Sequence, residues 1–166
     1  MDEQEEQTEA PEATWPGVDV AYDLTKLSYS WILQRLDAVD SRIQTLEAFA
    51  ATITLGSLVI AASIVDDIDF ESVWFVLAVV AFVAVVAIGS IAGASGNITL
   101  IHPQILYDEW LRDSEWEFKK NVVYFGGKHF EKNSSLVNSK GRAVGFMTAL
   151  FLAETAFLLI WLARQI

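Results

Sequence analysis

Glu154, a carboxyl in the middle of an apolar run, is the residue best placed to do chemistry in this sequence. It stands in FLAETAFLL, near the centre of the stretch 143–163. A charge at that depth in hydrocarbon costs about 2.5–3.5 kcal/mol by insertion scales, so Glu154 must be protonated, paired or facing water. A neutral carboxyl would find hydroxyls at Thr52, Thr54 or Ser57, or its own copy in an oligomer; a charged one would mark a proton or cation pathway. Asp66, Asp67, Asp69 and Glu71 offer oxygen ligands to a hard cation, but four acids on a solvated turn read as solvated charge and not as a metal site. The only histidines, His102 and His129, fall outside the apolar runs, and His129 beside Lys128 and Lys132 reads as an ordinary polar residue. The absence of cysteine removes disulfides, thiolate catalysis and zinc–sulfur sites. No Walker A loop, glycine-rich dinucleotide loop, H-E-x-x-H or carboxylate dyad occurs. The sequence therefore points to a protein that is not an enzyme and needs no catalytic residue, cofactor or metal.

The elements that would hold Glu154 follow from where the apolar residues collect. The chain has 166 residues, 53% hydrophobic, and gathers its longest apolar runs at about 48–65, 72–94 and 143–163. Each is near the roughly 20 residues that cross about 30 Å of hydrocarbon, and lipid offers the backbone no hydrogen-bond partners, so each must be a helix. The expectation is an all-α integral membrane protein with three transmembrane helices. Residues 66–71 allow only a tight turn, which makes 48–94 a two-span hairpin. Residues 143–166 hold the third span and the C-terminus. Between them, residues 95–142 form a linker long enough to need helices of its own.

Ahead of the first span, Tyr22, Tyr29, Ile32, Leu36, Val39, Ile43 and Leu46 fall largely on alternating steps of three and four, the spacing of a coiled-coil seam. Residues 18–47 should form an amphipathic helix, packed on its own neighbour or on a second copy, that runs straight into the membrane. Residues 1–17 carry Asp2, Glu3, Glu5, Glu6, Glu9 and Glu12 with no base, and are expected to be a disordered acidic tail. In the linker, His102-Pro103 starts a short helix. Ser114 and Glu117 have capping-box spacing for another, which Gly126-Gly127 should break or bend. Gly89 and Gly93, four apart in the second span, allow close helix packing, either inside one subunit or between subunits.

Orientation follows from the bases. Of the 11, Lys26, Arg35 and Arg42 precede the first span, and Arg112, Lys119, Lys120, Lys128, Lys132, Lys140 and Arg142 lie in the linker, leaving only Arg164 at the other end. By the positive-inside rule the N-terminus is cytosolic and the C-terminus outside, in a multi-pass cell-membrane protein. Trp74 and Trp161 would then sit near the outer interface. The 22 acids leave a net charge of −11, which excludes a sequence-independent grip on nucleic acid and suits a salt-loving prokaryotic host.

Two resemblances bear on function. Gly93-Ala94-Ser95-Gly96 resembles the G-x-S-G string of rhomboid intramembrane proteases, but a serine nucleophile needs a base within reach, neither histidine lies in a span, and three spans are too few for that family. The order of parts, cytosolic helix, two-span hairpin, helical linker and last span, resembles the small transmembrane effectors of prokaryotic Pycsar antiphage systems and, more loosely, the SLATT group of membrane effectors. Asp40-Ser41-Arg42-Ile43-Gln44-Thr45-Leu46 is similar to their D-x-K-A-x-x-L string, with Arg42 for lysine and Ile43 for the small residue. Glu131-Lys132-Asn133 followed by Lys140 is similar to their E-x-N…K pattern. The resemblance covers about residues 22–163. It implies a homo-oligomeric antiviral effector that senses a cyclic nucleotide, clusters and breaches the bilayer. Arg112, Lys119, Lys120 and Lys128 could receive the phosphate or could only enforce topology. A structural or accessory subunit of a membrane complex, and a small ion or proton conduit centred on Glu154, are the other readings of the same residues.

Overall fold

The computed structural model describes residues 15–65 and 68–165, so the expected disorder of the tail up to residue 14 and the positions of Asp66 and Asp67 lie outside the described residues. Four α-helices follow one another: α1 (Val18–Ile64), α2 (Val73–Ala94), α3 (Pro103–Asp108) and α4 (Glu115–Gln165), with a 3-10 turn at Trp110–Arg112 before α4. The described residues contain no strand. α1, α2 and α4 each carry a segment long and apolar enough to cross a membrane. Many of their large apolar side chains point outward, among them Leu55, Val59, Val80, Val83, Ile91, Leu152 and Leu159. An exposed apolar surface of that extent marks faces that meet a membrane or another protein.

The helices form two compact units. One holds residues up to 34 together with 98–135; the other holds 35–97 together with the residues from 136 onward. In the second unit, α2 turns its small residues inward: Ala78, Ala81, Val85, Gly89 and Ala92, spaced by three and four, are its buried side. Small side chains let helix backbones approach closely. Ile43, Ala50, Val85, Ala92 and Met147 make one buried cluster, and Ala61, Ala78, Leu158 and Trp161 make another. Trp161 packs inside the protein at the end of α4. It is fully buried, 4.9 Å from the Phe75 ring, and its Nε1 donates to the Asp69 carbonyl at 2.9 Å, fastening the end of α4 to the turn before α2.

The first unit packs α1 against the linker and the start of α4. His102 Nδ1 accepts from the Gln104 amide at 3.3 Å and so caps α3, and Ser114 and Glu117 form the expected reciprocal box at the start of α4, with Ser114 Oγ accepting the Glu117 amide at 3.2 Å. Trp110 is buried with its ring 5.3 Å from Phe125.

The linker departs from expectation beyond that point. α4 is one helix of 51 residues that passes through Gly126-Gly127 without a break and continues to Gln165. Glycine lowers helix stability by about 1 kcal/mol each relative to alanine but keeps its amide hydrogen bond, unlike proline. Packing makes up the difference. Gly126, Asn133, Val137, Lys140, Met147, Glu154, Leu158 and Trp161 are all buried, and six of these eight fall seven residues apart. That is one continuous heptad face, disguised by a glycine and three polar residues.

Candidate functional site

Ion pairs and hydrogen bonds join α1 to α4 in both units, and in each the partners are 100 positions apart in the chain. In the first unit Lys119 Nζ donates to Asp19 Oδ1 at 2.7 Å; in the second, Lys140 Nζ donates to Asp40 Oδ1 at 2.8 Å and Thr54 Oγ1 donates to Glu154 Oε1 at 2.6 Å. In the second unit two contacts share that offset, so there the two helices run parallel and in step. Glu154 is completely buried, and its Oε2 has no partner among the described residues. Of the hydroxyls proposed for it, Thr54 is the one that arrives; Thr52 spends its proton on the Ala48 carbonyl.

The residues of the D-x-K and E-x-N…K strings separate into two kinds. Asp40 and Lys140 come together, with Lys140 only 5% exposed and Asp40 37%. Asn133 is buried and grips the backbone of Thr99 twice, its Oδ1 accepting the Thr99 amide at 2.9 Å and its Nδ2 donating to the Thr99 carbonyl at 3.0 Å. Arg42 and Glu131 are exposed and join no ion pair among the described residues. The glycine pair also divides. A Cβ on Gly89 would strike the Glu47 carboxylate and the buried Met147 methyl, whereas Gly93 faces open space. Asp69 and Glu71 are exposed, and the described residues hold no group of three or more His, Cys, Asp or Glu able to bind a metal ion.

Asn133 and Thr99 build a feature of the first unit that sequence reasoning missed. The same Thr99 carbonyl accepts the Tyr29 hydroxyl at 2.9 Å, so the extended segment after α2 is pinned between α1 and α4 of the first unit. Beside it opens a cavity of about 500 Å³. Its walls are Leu33, Leu100, Ile101, Val122 and Gly126; its polar groups, Thr25, Lys26, Tyr29 and Ser30, line up on successive turns of α1. The Thr25 and Ser30 hydroxyls donate to their own helix, at Ala21 and Leu27, which leaves their oxygens as acceptors. Lys26 lies 5.2 Å from the Tyr22 ring centre and supplies the cavity's single positive charge. Burial raises the Tyr29 phenol above its ordinary value, against a backbone hydrogen bond at Ile101, so Tyr29 stays a neutral donor.

The bases that cluster in the linker do not reach this cavity. Lys119 is held by Asp19 and Glu115, hydrogen bonds that raise its pKa, and Lys120 lies over the Trp116 ring at 5.0 Å. His129 is partly buried, its Nδ1 has no partner among the described residues, and burial together with Lys132 and Lys128 lowers its pKa. The cavity has the volume of a pocket for a small organic ligand, about 300–1,000 Å³. Its lining suits a molecule with an apolar or flat body, several hydrogen-bonding edges and a single negative charge. No family model, curated protein or solved structure matches the chain.

Proposed function

We propose that the chain is a non-enzymatic membrane effector, in which a cytosolic helical unit receives a small signal molecule and apolar spans respond by perturbing the bilayer. The observation that carries this reading is the cavity beside Lys26 and Tyr29, which lies in the unit that the basic residues assign to the cytosol. A cyclic nucleotide, the signal implied by the resemblance to Pycsar effectors, carries one phosphodiester charge, a flat base and a ribose edge. Those match one lysine, aliphatic walls and a row of hydroxyls. α1 and α4 each continue from residues of that unit into an apolar segment, so a ligand that binds two arrangements of these helices unequally would shift the balance between them.

The experiment is membrane potential, read with a voltage-sensitive dye in cells expressing the protein, before and after delivery of candidate cyclic nucleotides. Ligand-dependent depolarisation is expected, and Lys26→Ala should raise the ligand concentration needed roughly tenfold, the loss of one charge-assisted hydrogen bond. A flat potential, with insertion and ligand delivery both verified, would remove these nucleotides as triggers and favour an accessory subunit of a larger membrane complex.

A further inference from the structure

The heptad seam read from the sequence is consumed inside the chain, where Ile32, Leu36 and Ile43 are buried. α1 carries a second apolar line that is not. Val20, Leu24, Leu27 and Trp31 follow steps of four, three and four and are 62–74% exposed. Extended along the same heptad, the line passes through Gln34, Ala38, Ser41, Thr45, Ala48 and Thr52, every one exposed. About 25 Å of helix separates Trp31 from residue 48, where the apolar segment begins, so lipid that surrounds the span does not reach these side chains.

We infer that this line is the docking face for a second copy of the chain, whose α1 lies alongside in parallel and in register. The occupant follows from three observations. Alternating steps of three and four are the spacing of a seam that packs against another helix of the same kind. Copies inserted with one topology present α1 in one direction, so face-to-face contact is parallel; this step rests on the membrane reading and not on the cavity's ligand. In a parallel pair of this register, Asp37 of one copy lies beside Arg42 of the other, because flanking positions five residues apart meet across the seam. Both side chains are exposed and neither is in an ion pair among the described residues. The small residues at 38, 41, 45 and 48 allow the two backbones to draw together toward the membrane.

The chain has no cysteine, so single cysteines report the contact in native membranes without background. Under mild oxidation, Leu24→Cys and Leu27→Cys should give a covalent dimer, and Glu131→Cys, exposed on α4, should stay monomeric. Asp37→Arg should reduce the Leu27→Cys dimer several-fold, and adding Arg42→Asp should restore it. No dimer from either seam cysteine in protein recovered from the membrane fraction would overturn the inference. So would a cross-linked species heavier than two chains, which would assign the face to a different protein. The two proposals fail separately: a cross-linked dimer with a flat potential leaves this face standing and removes the effector reading, and ligand-dependent depolarisation without a dimer does the reverse.

Discussion

Two adjacent glycines in α4 have opposite surroundings. A side chain on Gly126 would meet the Thr25 methyl across the cavity, and Thr25 cannot turn away cheaply because its Oγ1 donates to the Ala21 carbonyl at 2.7 Å and its β-branch restricts χ1. Gly127 is exposed, with nothing within 4 Å of where its Cβ would stand. Alanine in a helix gains about 0.8–1 kcal/mol over glycine. Gly127→Ala should therefore raise stability by about that amount, whereas Gly126→Ala should lower it, because overpacking costs about 1–3 kcal/mol. Thermal unfolding of the purified protein in detergent checks both, and a rise in both would mean that α1 and α4 do not approach closely at Thr25. The cavity was hard to read in the sequence for the same local reason. Tyr29 belongs to the apolar seam by its ring, and its hydroxyl finds Thr99, 70 residues away, which no short pattern encodes. The clustered lysines are the more visible pattern, yet one of them, Lys119, is already held by two carboxylates.

At the scale of elements, the three apolar segments and the seam of α1 were legible because each is a periodic run of apolar side chains, and the starts of α3 and α4 were legible from their caps. The length of α4 was not. Its buried face repeats every seven residues, but the repeat runs through Gly126, Asn133, Lys140 and Glu154, which read as a breaker, two residues of a family-like string and an isolated acid. Buried polar positions in paired helices fix register at a cost in stability, and here each polar residue has a partner: Asn133 with Thr99, Lys140 with Asp40, Glu154 with Thr54. On this account Glu154 belongs with the register of α1 against α4, and its isolation in the sequence was only apparent. The Asp40–Lys140 pair tests the account. Asp40→Ala leaves a nearly buried ammonium without its partner, and since breaking a buried pair costs about 3–5 kcal/mol and Asp40 is 37% exposed, a loss of about 2–3 kcal/mol is expected. Exchanging the charges, Asp40→Lys with Lys140→Asp, should recover most of that loss. If the exchanged protein is no more stable than Asp40→Ala in the same unfolding assay, the pair does not set register.

At the scale of the whole molecule, orientation decides which compartment the cavity samples. Ten of the 11 bases precede the first apolar segment or lie between the second and third, and the turn at residues 66–71 has none. Lysine and arginine near the ends of spans are held on the cytosolic side, so residues 15–34 and 98–135 should face the cytosol, with the turn and the C-terminus outside. Single cysteines again give a clean reading. A membrane-impermeant maleimide applied to intact cells should label Glu71→Cys and Gln165→Cys, and should reach Tyr107→Cys, 73% exposed in the linker, only after permeabilisation. The inverse pattern would place Lys26 and Tyr29 outside the cell, where no cytosolic nucleotide could reach them, and the effector reading would fall. It would leave the α1–α4 register untouched, because the contacts that set it, from Asp19–Lys119 to Thr54–Glu154, do not depend on which side of the membrane they face.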